Sequence, residues 1–277
     1  MSVYEKYDTT SAHYDATRVP VGSEIVLGCL ARHAKPLGEL HVLDAGCGTG
    51  AYAQAIVGAV GRIEAVDLSA GMLAQARAKL AAQAAAGRIA FQRAPVTALP
   101  FADATFDAVM INQVLHHLDT AGDRGFPVLR RAVAELARVL KPGGILVCNH
   151  CGQHQLCDGY WYSALVPRAA AAFRARFIPL ETLGEALIEA GLTLRGRFAP
   201  LDDVCQGPAY FDGRGPFDPA WRAGDSLWAL ASADELNAAL ARLRALDAEG
   251  RLADFVATQD ARRAEIGQIT FLCATRL

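Results

Sequence analysis

Short apolar runs alternate with alanine-, leucine- and arginine-rich stretches along most of this chain. The runs are rich in Val, Ile and Phe, and they lie at residues 41–45, 62–67, 89–94, 106–112, 144–150, 192–198 and 269–275. Nearly continuous apolar runs of this length are typical of strands that are buried on both faces. The stretches between them, such as residues 72–86 and 128–140, have the composition of helices. The alternation predicts a doubly wound α/β fold with a seven-stranded, mostly parallel sheet.

Three segments do not follow this alternation. Residues 1–35 precede the first strand, residues 151–180 follow the fifth, and residues 200–266 separate the last two. Additional helices are predicted within these segments at residues 23–33, 233–246 and 251–265. Connections this long are usually functional, and the last two segments are rich in aromatic residues. Because we find no repeat or low-complexity linker, we predict a single domain, 1–277, with a cap formed by residues 151–180 and 200–266.

The composition restricts the classes of partner. Of the 277 residues, 52% are hydrophobic, which is enough for a large core. The 27 basic and 29 acidic side chains are nearly balanced, and the sequence shows no stretch of one charge. We therefore expect neither a nucleic acid nor a membrane as partner. The first residues show no apolar signal segment, and the seven cysteines form no regular framework. This pattern predicts a cytoplasmic protein with reduced thiols.

A glycine-rich loop closes the first predicted strand and opens a helix. It has the sequence Val-Leu-Asp-Ala-Gly-Cys-Gly-Thr-Gly over residues 42–50. Gly46 and Gly48 allow a sharp turn and let a ligand approach without a Cβ atom in the way. About 20 residues further on, Asp67 ends the second strand, where a carboxylate can accept both ribose hydroxyls of a nucleoside. Loop and acid together predict an adenosine-containing cofactor, although the glycine spacing also fits a dinucleotide site.

Five ordered motifs resemble those of class I S-adenosylmethionine (SAM)-dependent methyltransferases. They lie at residues 44–50, 67–73, 99–107, 114–118 and 140–144. The most similar group is the type-11 branch, which includes quinone-ring C-methyltransferases and many natural-product enzymes. The resemblance covers about residues 10–150. It implies SAM as cofactor, a methyl-transfer activity and an antiparallel last strand.

The resemblance also implies which residues hold SAM. Asp44 would position the cationic amine, as its counterparts do in the family, whereas an acid at this turn would repel a dinucleotide pyrophosphate. Residues 1–35 are predicted to form an N-terminal lid over SAM, with Tyr14 and Arg18 in contact with it. The remaining predicted cofactor contacts follow the sheet edge: Gly46, Cys47, Gly48, Asp67, Leu68, Met72, Pro95, Val96, Asn112, Gln113 and His117.

One position departs from the family pattern. Where the family often has Gly-Asp-Ala, this chain has Ala94-Pro95-Val96, so Pro95 replaces the aspartate that commonly accepts from the adenine amino group. Adenine must then be held by backbone groups near Val96, by side chains such as Thr97, or by packing.

Methyl transfer from a sulfonium depends on positioning and on exclusion of water, and it requires a base only if the acceptor atom is protonated. His117 and His150 follow strands four and five, at the carboxyl edge where open α/β sheets bind ligands. We name both as candidate catalytic residues, while a structural role also fits each of them. The acceptor is expected to contact His116, His150, Tyr160, Trp161 and Tyr210.

The sequence leaves the acceptor open, and we favour an oxygen or nitrogen atom of a small molecule. The cysteines near the predicted acceptor site suggest a thiol or arsenite methyltransferase as an alternative, although buried, inert thiols are the simpler interpretation. They are Cys148, Cys151, Cys157 and Cys205. No spacing of His, Cys and carboxylates predicts a metal site. A catalytically silent SAM-binding regulatory protein is a further alternative, and homodimer formation is left open.

Overall fold

The computed structural model describes residues 19–119, 125–223 and 225–277. Its strands form one sheet of seven in the order β3-β2-β1-β4-β5-β7-β6. The strands are β1 (His41–Ala45), β2 (Arg62–Asp67), β3 (Ile89–Arg93), β4 (Phe106–Asn112), β5 (Leu140–His150), β6 (Leu192–Phe198) and β7 (Thr270–Arg276). Strands β1 to β5 pair in parallel, whereas β7 is antiparallel to both β5 and β6. The predicted fold class is confirmed.

The boundaries differ from the predictions in two informative places. Strand β5 begins at Leu140 rather than at residue 144, because Leu140 already pairs with Phe106 before a shift in register. The helix predicted from residue 72 begins at Ala70, since the Ser69 side chain accepts a hydrogen bond from the Met72 N–H and caps it. That helix then breaks at Leu80, whose ψ of 24° leaves the helical range.

The helices are numbered in chain order. They are α1 (Ser23–Leu30), α2 (Ala51–Ile56), α3 (Ala70–Lys79), α4 (Ala81–Ala85), α5 (Pro127–Val139), α6 (Gln153–Asp158), α7 (Pro167–Arg174), α8 (Leu180–Glu189), α9 (Pro219–Ala223), α10 (Ser226–Ala229), α11 (Ala233–Ala248), α12 (Leu252–Asp260) and α13 (Arg263–Ile266). No helix within the described ranges has the length and apolar character needed to span a bilayer.

The sheet is buried on both faces. Successive residues of a strand point to opposite faces, and in β1 Val42 packs into one hydrophobic cluster while Leu43 packs into the other. Helices α1, α2 and α3 cover the Val42 face, and α5 and α8 cover the Leu43 face. Because Val26 and Leu30 of α1 are fully buried in this core, residues 23–30 form part of the scaffold and not of a lid. Residues 1–18 of the predicted lid lie outside the described residues.

The two predicted insertions pack together. Apolar side chains from the segment between β5 and α8 and from the segment between β6 and β7 share a third hydrophobic cluster, separate from the sheet core. We call this body of residues 151–179 and 199–269 the cap. Trp161, Tyr162 and Tyr210 are among its most buried side chains, each at most 1% exposed. The cap follows the carboxyl ends of β5 and β6, so it stands beside the edge at which α/β sheets bind ligands.

Candidate functional site

The glycine loop between β1 and α2 has the backbone conformation that its sequence predicts. Gly46 and Gly48 have φ values of 77° and 53°, in the left-handed region that favours glycine. A Cβ atom on Gly46 would lie 2.4 Å from a methyl carbon of Val114, whereas one on Gly48 would meet no atom within 4 Å. Gly46 therefore allows close packing inside the protein, and Gly48 leaves open space above the loop.

Asp67, at the end of β2, joins the loop to the sheet edge. Its Oδ2 atom accepts a hydrogen bond of 2.8 Å from the Gly48 N–H, and its Oδ1 atom accepts one of 2.8 Å from the Ser69 N–H. Burial raises the pKa of this carboxyl, and the N–H donors oppose the change. Each carboxylate oxygen can accept more than one hydrogen bond, so Asp67 can hold the loop and bind hydroxyl groups as well. The contact with Gly48 could not be read from the sequence.

Asp44 and Asn112 end neighbouring strands and are both buried. Asp44 is 1% exposed, and burial, together with the charge of Asp67, raises its pKa to about 8. Within the described residues, neither the Asp44 Oδ2 atom nor either polar atom of the Asn112 amide has a hydrogen-bond partner. Buried polar atoms without partners are costly. A ligand that carries both a cation and an acceptor or donor group would satisfy them.

A single cavity of about 1070 Å³ joins this edge to the cap. Ligand pockets commonly enclose about 300–1,000 Å³, so this cavity can hold two small molecules side by side. The described residues that were predicted to contact the cofactor all line it: Asp44, Gly46, Cys47, Gly48, Asp67, Leu68, Met72, Pro95, Val96, Asn112, Gln113 and His117. Tyr14 and Arg18 lie outside the described residues.

The cap end of the same cavity is mostly apolar and aromatic. Of the predicted acceptor contacts, His116 and Tyr160 line it. The structure adds residues that were not assigned from the sequence: Leu156, Tyr162, Ser163, Phe173, Phe177 and Leu227. Phe173 lies in the last turn of α7, whereas Phe177 follows the end of that helix, so helical spacing could not have predicted that both line the cavity.

The adjacent histidines His116 and His117 both line the cavity. The His116 ring stacks on Phe177, with ring centroids 4.3 Å apart and planes 11° from parallel. Burial lowers the pKa of His117 to about 4, so its imidazole is neutral at pH 7 and is a weaker base than an exposed histidine. His117 therefore has the position of a base, and its low pKa suits it to take a proton only from a strongly acidic group.

The structure corrects three predicted site residues, which do not line the cavity. His150 is fully buried, and its Nε2 atom lies 2.9 Å from the Ile178 carbonyl, to which it donates. The Trp161 indole donates to the Tyr210 carbonyl at 2.7 Å, and the Tyr210 hydroxyl donates to Asp260 at 2.5 Å. These contacts hold the protein interior together, so we no longer assign His150, Trp161 or Tyr210 to catalysis or acceptor binding.

The four cysteines near the predicted acceptor site divide into two pairs. Cys148 is buried in β5 and Cys157 lies on the cap outside the large cavity, whereas Cys151 and Cys205 line it. Cys151 donates to the Gln268 carbonyl at 2.8 Å, and the Tyr160 hydroxyl lies 3.8 Å from the Cys205 sulfur. In the part of the chain that the structure describes, no three His, Cys, Asp or Glu side chains are grouped as metal ligands.

Sequence comparison gives an independent line of evidence. Residues 43–148 match the family described as Methyltransferase domain. The O-methyltransferase resE of Aspergillus sclerotiorum is 34% identical over 57% of this chain and 55% of that protein. A demethylmenaquinone methyltransferase of Lactiplantibacillus plantarum is 40% identical over 41% of this chain and 46% of that protein. The chain thus spans about half the length of the curated relatives it matches.

Solved structures support the fold. A putative methyltransferase from an antibiotic biosynthesis pathway of Anabaena variabilis superposes with a TM-score of 0.71 at 21% identity, over 95% of this chain and 100% of that chain. The [4+2]-cyclase SpnF superposes with a TM-score of 0.60 at 19% identity, over 99% of this chain and 95% of that chain. Because a cyclase shares this fold with methyltransferases, the architecture alone does not specify the reaction.

Proposed function

Because this chain belongs to the class I SAM-dependent methyltransferase family, we propose that it transfers the methyl group of SAM to an oxygen or nitrogen atom of a small molecule bound beneath the cap. The observation that supports this proposal most is the continuity of the cavity. The glycine loop and Asp67 line one end, and the aromatic side chains of the cap line the other. Donor and acceptor could therefore meet within one enclosed space.

The residues at the sheet edge fit the chemical groups of SAM. Asp44 and Asn112 offer a buried carboxylate and amide to the ammonium and carboxylate of the amino-acid end. Asp67 can accept the ribose hydroxyls, and the open space above Gly48 allows close approach. Pro95, Val96 and Thr97 also line the cavity, and we assign adenine to them, held by packing and backbone groups in place of the missing aspartate.

The acceptor end favours a molecule with an apolar body. Phe173, Phe177 and Leu227 supply apolar wall, and burial of such surface contributes about 25 cal/mol per Å² to binding. SAM supplies an electrophilic methyl group, whose bond to sulfur breaks as the bond to the acceptor atom forms. His117 lines the cavity and is neutral at pH 7, so it can accept the proton of a hydroxyl as methyl transfer makes that oxygen strongly acidic.

Mass spectrometry tests this function directly. The purified protein is incubated with SAM that carries a deuterated methyl group and with a mixture of small phenols, alcohols and amines. We expect S-adenosylhomocysteine together with a product labelled on oxygen or nitrogen. Label on carbon or sulfur would contradict the proposed acceptor atom. SAM binding without any product from this mixture or from a cell extract would instead favour the catalytically silent alternative.

The two thiols in the cavity keep a second candidate function in view. Both residues contact Gln268: the Cys151 thiol donates to its backbone carbonyl, and the Cys205 backbone N–H donates to its side-chain oxygen at 2.7 Å. A thiophilic acceptor such as arsenite could bind both sulfurs only if the Cys151 thiol lost its contact with the Gln268 carbonyl. Adding arsenite as an acceptor to the same assay distinguishes the two functions, since we expect no methylated arsenic.

A further inference from the structure

A chain of hydrogen-bonded side chains lies at the cofactor end of the cavity, where two of its members, Gln113 and Tyr52, line the wall. The Gln113 amide nitrogen donates to Asn149 Oδ1 at 2.8 Å, and Asn149 Nδ2 donates to the Tyr52 hydroxyl at 2.7 Å. The Tyr52 hydroxyl in turn donates to the Val21 carbonyl at 2.8 Å. We call Gln113, Asn149 and Tyr52 the polar strut. It connects the end of β4, through β5, to helix α2 and to the residues that precede α1.

The direction of each hydrogen bond in the strut is fixed by chemistry. A carbonyl oxygen can only accept, so Tyr52 must use its proton on Val21 and accept from Asn149. That leaves the Asn149 oxygen to accept from Gln113. Asn149 is fully buried, and both ends of its amide are bonded. A buried network whose members are all satisfied is rigid, and it holds one arrangement in preference to others.

The strut holds an unusual backbone conformation. Gln113 has a φ of 55°, a conformation that is unfavourable for a residue with a Cβ atom and persists only where the surroundings enforce it. Asn149 binds Gln113 twice, because its backbone carbonyl also accepts a hydrogen bond from the Gln113 backbone N–H at 3.0 Å. A strained residue that is fixed by two hydrogen bonds and lines the cavity suggests a purpose beyond stability.

The conformation of Gln113 sets the positions of its two neighbours. Asn112 precedes it, and its buried amide has no partner among the described residues. Val114 follows it and packs against Gly46, so close that a Cβ atom on Gly46 would clash. If Gln113 relaxed to a negative φ, the chain would leave β4 in another direction, and both contacts with the cofactor site would change.

We propose that Tyr52 and Asn149 are positioning residues of the SAM site. They hold Gln113 in its left-handed conformation and thereby present the Asn112 amide to the amino-acid end of SAM. This end carries an ammonium and a carboxylate, and the Asn112 amide can accept from the first and donate to the second. Asp44 lies beside it, because Asp44 pairs with Met110, two residues before Asn112. Tyr52 and Gln113 also line the cavity, so the proposal assigns their effect to the amino-acid end and not to the adenosine half.

The test compares two ligands that differ only at the amino-acid end. S-adenosylhomocysteine carries this end, and 5′-methylthioadenosine lacks it. The variant Tyr52→Phe removes the hydroxyl alone. It should lower the affinity for S-adenosylhomocysteine about tenfold, as for one lost hydrogen bond. The affinity for 5′-methylthioadenosine should stay within about twofold, because its contacts do not depend on Asn112. Calorimetric titration measures both dissociation constants.

A second variant tests whether Gln113 transmits the effect. Glycine adopts a positive φ without strain, so Gln113→Gly removes the need for the strut. In that background Tyr52→Phe should change the affinity for S-adenosylhomocysteine by less than about twofold, which gives a non-additive cycle. Additive effects in the double variant would contradict the proposed role of Gln113.

The control is Tyr210→Phe, which removes another buried tyrosine hydroxyl, at Asp260 and away from the cavity. It should lower the melting temperature and leave both ligand affinities unchanged. The proposal would be overturned if Tyr52→Phe lowered the affinity for both ligands equally, or if it left both affinities unchanged. A wild-type protein that binds neither ligand would refute the SAM site itself, which is a distinct outcome.

Discussion

At the scale of single residues, Asp44 governs how the cofactor site responds to pH. Burial raises its pKa to about 8, so without ligand it is mostly protonated at pH 7. An ammonium group stabilises the ionised form, and binding must therefore release a proton. We expect the affinity for S-adenosylhomocysteine to rise as the pH increases from 6 to 8, by up to about tenfold per pH unit.

Calorimetric titration in buffers of different ionisation enthalpy measures both the affinity and the number of protons released. The matched variant is Asp44→Asn, which keeps the shape and cannot titrate. Its affinity should be lower at pH 8 and nearly independent of pH. If the wild-type affinity were flat between pH 6 and 8, Asp44 would not be the ligand of the ammonium group.

The thiols also belong to this scale. Cys151 and Cys205 line the cavity, but the Cys151 thiol already donates to the Gln268 carbonyl and Cys205 packs into the sheet core, which favours a packing role for both. We expect the double variant Cys151→Ser, Cys205→Ser to retain methyl transfer within about tenfold, as for groups outside the reacting centre. Turnover with the identified acceptor is compared with the affinity for S-adenosylhomocysteine. Loss of turnover with intact cofactor binding would support a thiophilic acceptor.

At the scale of elements, the cap separates residues that face the cavity from residues that hold the cap together. Trp161 is fully buried, and both its backbone N–H and its indole bind Tyr210. Replacing a buried Trp by Ala typically costs about 3–5 kcal/mol. Trp161→Ala should thus lower the free energy of unfolding while leaving the affinity of the folded protein for S-adenosylhomocysteine unchanged.

Phe177→Ala is the contrasting variant, because Phe177 lines the cavity and stacks on His116. It should raise the KM for the identified acceptor more than it lowers stability. Chemical denaturation and steady-state kinetics measure the two quantities. The reverse pattern, with KM sensitive to Trp161 and not to Phe177, would restore Trp161 to the acceptor site.

The elements also show what sequence can predict. The strands followed from apolar runs and the glycine loop from its spacing, because local conformation and the two-sided burial of a parallel sheet constrain those residues directly. The cap residues that line the cavity could not be predicted from the sequence in this way. Trp161 and Tyr162 are neighbours and both buried, yet only Tyr162 lines the cavity. Which side of a packed aromatic cluster faces a ligand depends on tertiary contacts that neither composition nor spacing encodes.

The same limit applies to the histidines at the sheet edge. His117 and His150 both follow strand ends, and both have a pKa lowered to about 4 by burial. His117 lines the cavity, while His150 binds the Ile178 carbonyl inside the protein. A position at the carboxyl edge is therefore not enough to identify a residue that lines the cavity, because it does not give the direction of the side chain.

At the scale of the whole molecule, buried histidines set the sensitivity to acid. An unfolded histidine titrates near pH 6.5, whereas His150 titrates near 4 in the folded protein. Between these values the unfolded state binds more protons, so stability is lost as the pH falls from 6.5 to 4. The fully buried His150 alone accounts for about 3 kcal/mol of this loss.

Asp44 acts in the opposite sense, because its raised pKa makes the folded state bind more protons between about pH 4 and 8. The variant His150→Gln separates the two effects, since a glutamine can still donate to Ile178 and does not titrate. We expect the difference in unfolding free energy between wild type and variant to shrink as the pH falls below 6.5. A difference that is independent of pH would show that His150 is not buried in its neutral form.

The central claim is that one cavity places the SAM methyl group beside His117 and the cap. A crystal structure with S-adenosylhomocysteine tests it most directly, because the sulfur atom marks where the methyl group departs. We predict the ribose hydroxyls on Asp67, the amino-acid end between Asp44 and Asn112, and the sulfur facing the space enclosed by His117, Tyr162 and Phe177. A sulfur atom directed away from the cap, or a ribose that does not contact Asp67, would contradict the account.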